Sequence, residues 1–384
     1  PRYVPPRPVL RPRRRKRRFS LPICMGLAAL LISLVAISAV MESFWPVQLL
    51  PSDDGDYSYH QDYDQEELDT TPPSIPRAAT GAGVTVELRP DTGETLTYTQ
   101  IYDKNLPSMV SIQAEDAKSY STGTGVVLTS DGYIITNAHV VAGADKVQVV
   151  CSDNRVLDAA LVGFDANEDL AVLKVEATDL TPAEFGDSFA LRCGDPVAAI
   201  GDPLGYRSTI TDGIVSALDR DVDVDGVSMV LIQTSAAINM GNSGGALINQ
   251  YGQVVGITTV KIVTDDGSAE ALGFAIPSRR VKYVADTLIA GKTVRRGIFG
   301  FTVLTRTAQG GGLTLDSVDK ASDAYAQGLR AGDVLIAANG QSLNAVEDLV
   351  RLKQSLGAGD AVSLTYVRDG QSYTASVALI DPDD

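Results

Sequence analysis

Histidine is almost missing from this chain: 384 residues hold two, His60 and His139. Cysteine is scarce as well, with Cys24, Cys151 and Cys193 only. None of the three has neighbours at metal-ligand spacing, so no metal centre is expected. A phosphate loop of the G-x-x-x-x-G-K-[ST] form is absent, which removes the usual binding motif for an ATP-driven mechanism. His60 lies in an acidic, tyrosine-dotted tract without apolar neighbours. Any imidazole that serves the folded part must therefore be that of His139. The first 18 residues lack acid altogether and carry nine Arg or Lys. Residues 42–384 then hold 23 basic and 48 acidic side chains, a net charge of −25. Such a surface repels nucleic acid and keeps that part of the chain soluble.

What is present begins with a long apolar run. Leu21 to Met41 is 21 residues without a charge, long enough to cross a bilayer as a helix. The basic residues ahead of it place residues 1–20 in the cytoplasm as a short tail and the remainder outside. A cleaved signal peptide is the competing reading, although its apolar core would be shorter, about 7–15 residues. The basic cluster is explained by topology and anionic headgroups rather than by nucleic acid. Residues 42–98 read as an acidic, proline-containing linker too polar to bury a core, hence as a disordered tether. Outside the cell Cys151 and Cys193 could hold a disulfide, but two free thiols are the simpler expectation.

The chemistry concentrates in three places. Gly241-Asn242-Ser243-Gly244-Gly245 sets a serine in a turn whose glycines permit positive φ and a close approach by a substrate carbonyl. Thr136-Asn137-Ala138-His139-Val140-Val141 follows an apolar strand, and Asn167-Glu168-Asp169-Leu170 brings a carboxylate to the head of another. The order His, Asp, Ser is that of the two-barrel trypsin-like proteases. From Ile101 onward the pattern is short strands with frequent turns, which implies β-barrels or sandwiches. Val126 to Thr136 reads as a hairpin turning at Asp131-Gly132. Further strand runs are Val147–Cys151, Leu170–Val175, Val197–Ile200, Ile214–Leu218 and Val254–Val260. Pro277-Ser278 opens a helix with Val281, Val284, Ala285, Leu288 and Ile289 on one face, ended by Gly291. After a basic joint, residues 297–384 read as a small separate domain of strands and one helix near Val346–Leu356.

Gly123-Thr124-Gly125, Thr136 to Val140, Asp169-Leu170-Ala171-Val172-Leu173, Ala236 to Asn239 with Gly241 to Gly245, and Gly273-Phe274-Ala275-Ile276-Pro277 together resemble the HtrA serine proteases. The resemblance covers residues 99–384, and the membrane-anchored layout looks like that of Gram-positive bacteria. It implies a mainly β chain: two six-stranded β-barrels of the trypsin-like fold over residues 99–292, a small α+β PDZ domain over 297–384 and an N-terminal transmembrane helix over 21–41. It also implies that Ser243 attacks, His139 serves as base and Asp169 orients it. Gly241, Asn242 and Ser243 would build the oxyanion hole, the outer two through their N–H groups and Asn242 by shaping the turn. Ile238 and Leu272 would wall an apolar primary pocket suited to small or medium aliphatic residues. No cofactor is implied. Two positions depart from the family: Ser235 stands where aspartate is usual and Met240 where proline is usual. Gly297-Ile298-Phe299-Gly300-Phe301 resembles the carboxylate-binding loop of PDZ domains, with Phe299, Gly300 and Phe301 offering the amides to C-terminal peptides.

The family further implies a homotrimer and unfolded extracytoplasmic protein substrates. Two rivals stay open on sequence: a chaperone or scaffold with minor proteolysis, and a regulatory protease with one dedicated membrane-protein partner.

Overall fold

The structure is a computed structural model that describes residues 70–381, except 82, 92, 203–208, 225–226, 240, 260–272 and 308–310. The basic tail, the apolar run Leu21–Met41, the first part of the linker, His60, Met240 and Leu272 lie outside the described residues. Among those described, no helix is long and apolar enough to cross a membrane.

After a short helix α1 (Tyr98–Asn105), six strands form a closed barrel: β1 (Met109–Glu115), β2 (Tyr120–Val127), β3 (Tyr133–Thr136), β4 (Lys146–Val150), β5 (Val156–Asp165) and β6 (Leu170–Val175). They run around it as β1-β2-β3-β6-β5-β4, and β4 pairs back onto β1. The hairpin expected from Asp131-Gly132 is there, with Gly132 at φ 105 and Leu128 N–H donating to Tyr133 O. A glycine is needed because a Cβ at 132 would strike the Val175 carbonyl.

A second ring follows: β7 (Pro196–Gly201), β8 (Thr209–Val224), β9 (Val227–Thr234), β10 (Ala246–Asn249), β11 (Val254–Thr259) and β12 (Gly273–Pro277). Its order is β7-β8-β9-β12-β11-β10, closed by β10 on β7. The two barrels thus repeat one winding. Each has its own aliphatic interior, the first around Ile112, Ile134, Leu161 and Leu173, the second around Val197, Val215, Leu247 and Val255. A larger cluster lies between them, with Ile135 and Val172 from the first barrel meeting Ile200, Ile248 and Ile257 from the second. Fully burying one such side chain is worth about 1.5–3 kcal/mol, so this seam is a main source of cohesion between the barrels.

Helix α2 (Ala138–Val141) leaves β3, and α3 (Ser278–Ile289) leaves β12. All five residues expected on the apolar face of α3 are buried, and Gly291 beyond it takes φ 73. The last domain holds β13 (Phe301–Thr307), β14 (Leu313–Val318), α4 (Asp323–Ala326), β15 (Val334–Ala338), α5 (Val346–Lys353), β16 (Ala361–Arg368) and β17 (Gln371–Ala378). Its core is separate, built on Leu315, Leu335, Leu349, Leu364 and Val377.

Residues 70–98 depart from the disordered tether suggested by their composition. Ile75 and Val86 are buried, and Leu88–Arg89 pairs in parallel with Phe185–Gly186. Backbone hydrogen bonds, which composition does not reveal, hold this stretch to the barrels. Cys151 is buried, Cys193 is exposed, and both are free thiols.

Candidate active site

His139 sits on the four-residue helix α2, entered through Asn137 in extended conformation. Its Nδ1 lies 2.8 Å from Asp169 Oδ1 and 3.0 Å from Oδ2, while its backbone N–H donates to Oδ1 at 3.1 Å. In the tautomer with Nδ1 protonated, this nitrogen donates to the carboxylate and Nε2 presents its lone pair. Asp169 is 1% exposed and stands at φ 50, a left-handed conformation that costs most residues about 1–2 kcal/mol. The surroundings hold it there. Asn137 Nδ2 donates to its carbonyl at 3.0 Å, and Thr259 Oγ1 donates to Oδ2 at 3.1 Å. Thr259 belongs to the second barrel, so both barrels grip one carboxylate.

The serine turn is tied just as closely. Asn242 N–H donates to Asn239 O at 2.9 Å. Gly241, third in that turn, takes φ 92, a value that excludes most side chains. Gly241 O accepts from Thr124 Oγ1 at 2.7 Å, Asn242 O from Thr258 Oγ1 at 2.5 Å, and Ser243 O from Thr124 N–H at 2.8 Å. The amides of Asn242, Gly244 and Gly245 donate to protein carbonyls. Among the described residues, the N–H groups of Gly241 and Ser243 are the two in this turn left without a partner. Gly244, at φ 79, packs so closely on Thr124 O and Thr136 Oγ1 that a Cβ would not fit. The turn is thereby seated against the strand that leads to His139. The Ser243 Oγ to His139 Nε2 link is not closed in this structure; such links commonly tighten on substrate binding.

Thr124, Asn137, Thr258 and Thr259 escaped notice as partners of the site, though Thr124 and Asn137 lie inside the quoted motifs. A single threonine hydroxyl or asparagine amide carries no periodic signal. Ser235 ties the preceding segment to β8: Ile214 N–H donates to its Oγ at 3.0 Å. Ile238 is half-buried beside Gly273, where the missing Cβ makes room for its side chain. Leu272, its expected partner wall, is outside the described residues.

Directly before Asp169, the Glu168 carboxylate is buried and paired to Arg280 of α3 at 2.7 Å and Arg296 of the basic joint at 2.8 Å. Burial pushes its pKa up, but the hydrogen bonds and charges of the two guanidinium groups outweigh this and hold it below the ordinary range. Arg280 also donates to Leu356 O, and Arg351 of α5 pairs with Asp219 of β8 at 2.6 Å. In the last domain, Phe299 is buried and stacked on Phe301 with centroids 5.2 Å apart. Gly300 takes φ 71, and a Cβ there would meet Ser322. Ile298 exchanges two backbone hydrogen bonds of 2.9 Å with Ile380. The loop is thus fixed beside the start of β13.

Comparison with known proteins agrees with this geometry. Residues 123–257 match the trypsin-like peptidase domain and residues 297–379 the PDZ domain. A probable periplasmic serine protease do/HhoA-like of Haemophilus influenzae is 40% identical over 67% of this chain, which spans 58% of that relative's length. Serine protease Do-like HtrA of Lactococcus lactis subsp. lactis is 37% identical over 75% of this chain and 77% of its own length. The solved HtrA-type protease AlgW with tripeptide superposes with a TM-score of 0.58 at 31% identity, covering 75% of this chain and 99% of that one. With one barrel winding repeated, a His–Asp pair and a glycine-bound serine at the seam, and a PDZ domain behind them, the chain belongs to the HtrA family of serine proteases.

Proposed function

We propose that this chain is a serine endopeptidase, independent of ATP, that degrades misfolded or damaged extracytoplasmic proteins. The observation that carries this is the His139–Asp169 pair beside a serine turn in which two amides, those of Gly241 and Ser243, have no partner among the described residues. In the reaction, Nε2 of His139 takes the proton of Ser243 Oγ as that oxygen attacks the scissile carbonyl. Asp169 stabilises the imidazolium that forms, and the two amides receive the oxyanion. His139 then returns the proton to the leaving amine, an acyl-enzyme remains on Ser243, and water releases it by the reverse sequence.

Ile238, with Leu272, supports cleavage after small or medium aliphatic residues. The Phe299–Phe301 loop supports capture of C-terminal peptides by strand addition along β13, with the carboxylate on loop amides; the AlgW relative was solved with a tripeptide, in keeping with this. A homotrimer and an anchor through Leu21–Met41 complete the proposal. The test is a digest of several unfolded proteins by the full chain beside Ser243→Ala. Broad cutting after aliphatic residues by the parent alone is expected. Cutting of a single membrane protein favours the dedicated regulatory protease, and client binding with no cutting by either chain favours the scaffold.

A further inference from the structure

The helix that carries His139 has four residues and cannot stabilise itself. Its exit, Ala142-Gly143-Ala144, is held by residues that lie more than sixty positions earlier. Gly143 N–H donates to Thr71 O at 2.9 Å, and Ser74 N–H donates to Ala144 O at 2.7 Å. Between these bonds and the barrel, Ile75 enters the apolar cluster that contains Val140, Val141 and Ala144. The same stretch then pairs with β5: Leu161 N–H donates to Pro76 O at 2.8 Å and Ala78 N–H to Leu161 O at 3.0 Å. It does so where the β5–β6 register slips between Leu161 and Gly163. Strand β6 begins immediately after Asp169. One segment therefore braces the exit of the His139 helix and the strand beside the one that Asp169 leads into.

We propose that residues 71–78 are a positioning segment for His139, so that the chain just ahead of the protease domain sets the geometry of the catalytic pair. The inference rests on the reading of His139 as general base. A merely structural strap would lower thermal stability and leave turnover per folded molecule unchanged. A positioning segment lowers kcat while KM stays, because substrate binding uses other residues.

The experiment uses the full chain and a peptide substrate, well below the melting temperature. Ser74→Pro deletes the N–H that meets Ala144 without removing a packed side chain, and Ile75→Ala withdraws the buried side chain. Each is expected to lower kcat by roughly tenfold, the scale of a small misplacement of a reacting group, with KM within about twofold, and Ile75→Val is expected to restore most of it. Lys282 donates to Val86 O at 2.7 Å near the other end of this arm. Lys282→Met should lower the melting temperature and spare kcat. If Ser74→Pro does not fold, Ile75→Ala against Ile75→Val decides. Parental kcat in the folded arm variants, or a kcat loss in Lys282→Met as large as theirs, would overturn the proposal. A parent that cuts no better than Ser243→Ala would remove the reading of the active site instead.

Discussion

The first barrel presents the two residues proposed as base and orienting acid, His139 and Asp169, next to the ends of strands buried along almost their whole length, β3 and β6. The second presents Ser243 in a turn made largely of glycine, which side chains of both barrels must hold in place: Thr124 from the first, Thr258 from its own strand β11. The same winding thus supports two kinds of precision. One is inherited from packed strands, and the other is assembled from threonine hydroxyls and carbonyls across a seam. The dependence also runs the other way, since Thr259 of the second barrel donates to Asp169 of the first. The site belongs to the seam and to neither barrel alone.

Substitutions on the two sides of the seam separate these two kinds of precision. The largest effect is expected from Ser243→Ala, which should reduce kcat by roughly five to six orders of magnitude with an unchanged circular dichroism spectrum; measurable cutting by a purified Ser243→Ala chain would count against the assignment. Next comes Gly244→Ala. It puts a Cβ against Thr124 O at φ 79 and should cost about 3 kcal/mol of stability by urea melts, mostly by unseating the turn. Thr259→Val removes one hydrogen bond to a charged carboxylate, worth about 1.5–3 kcal/mol. A roughly tenfold or greater fall in kcat with little change in KM is expected. Equal kcat would mean that the first barrel orients Asp169 unaided.

The smallest effect concerns pH. The pKa of Glu168 is held below that of an unfolded glutamate, about 4.3, by Arg280 and Arg296 against the opposing effect of burial. Its contribution to stability is therefore complete above that value and disappears as pH falls through the folded-state pKa. Between about pH 5 and pH 3 the parent should lose stability more steeply than Glu168→Gln in urea melts. Neighbouring Asp165, whose pKa is raised by burial and in part by the Glu168 charge, is replaced by Asn in both chains, so that the difference reports Glu168 alone. Parallel slopes would contradict the ion-pair account.

Much of this was legible in the sequence because the signals were local. The strand Leu170–Val175, the turn at Gly132 and the buried face of α3 follow from alternation, Asp-Gly chemistry and helical spacing. The motifs around His139, Asp169 and Ser243 lie at strand ends, where chemistry interrupts the pattern. Strand β8 was seen only in its apolar middle, Ile214–Leu218, because its far end, which pairs with β9, alternates aspartate with apolar residues. Helix α1 was missed although Thr97 and Gln100 form a capping box. The 70–98 arm was illegible because main-chain hydrogen bonds hold it. The threonines of the site were hidden because a single hydroxyl has no sequence context that reveals its distant partner.

Covalent labelling of the full chain with a fluorophosphonate, read by peptide mass spectrometry, tests whether both barrels together make Ser243 a nucleophile. A single adduct on Ser243 is predicted, with its rate of formation reduced by roughly a thousandfold or more in Asp169→Asn and in His139→Ala. An adduct on another residue, or a Ser243 rate indifferent to both substitutions, would contradict the account.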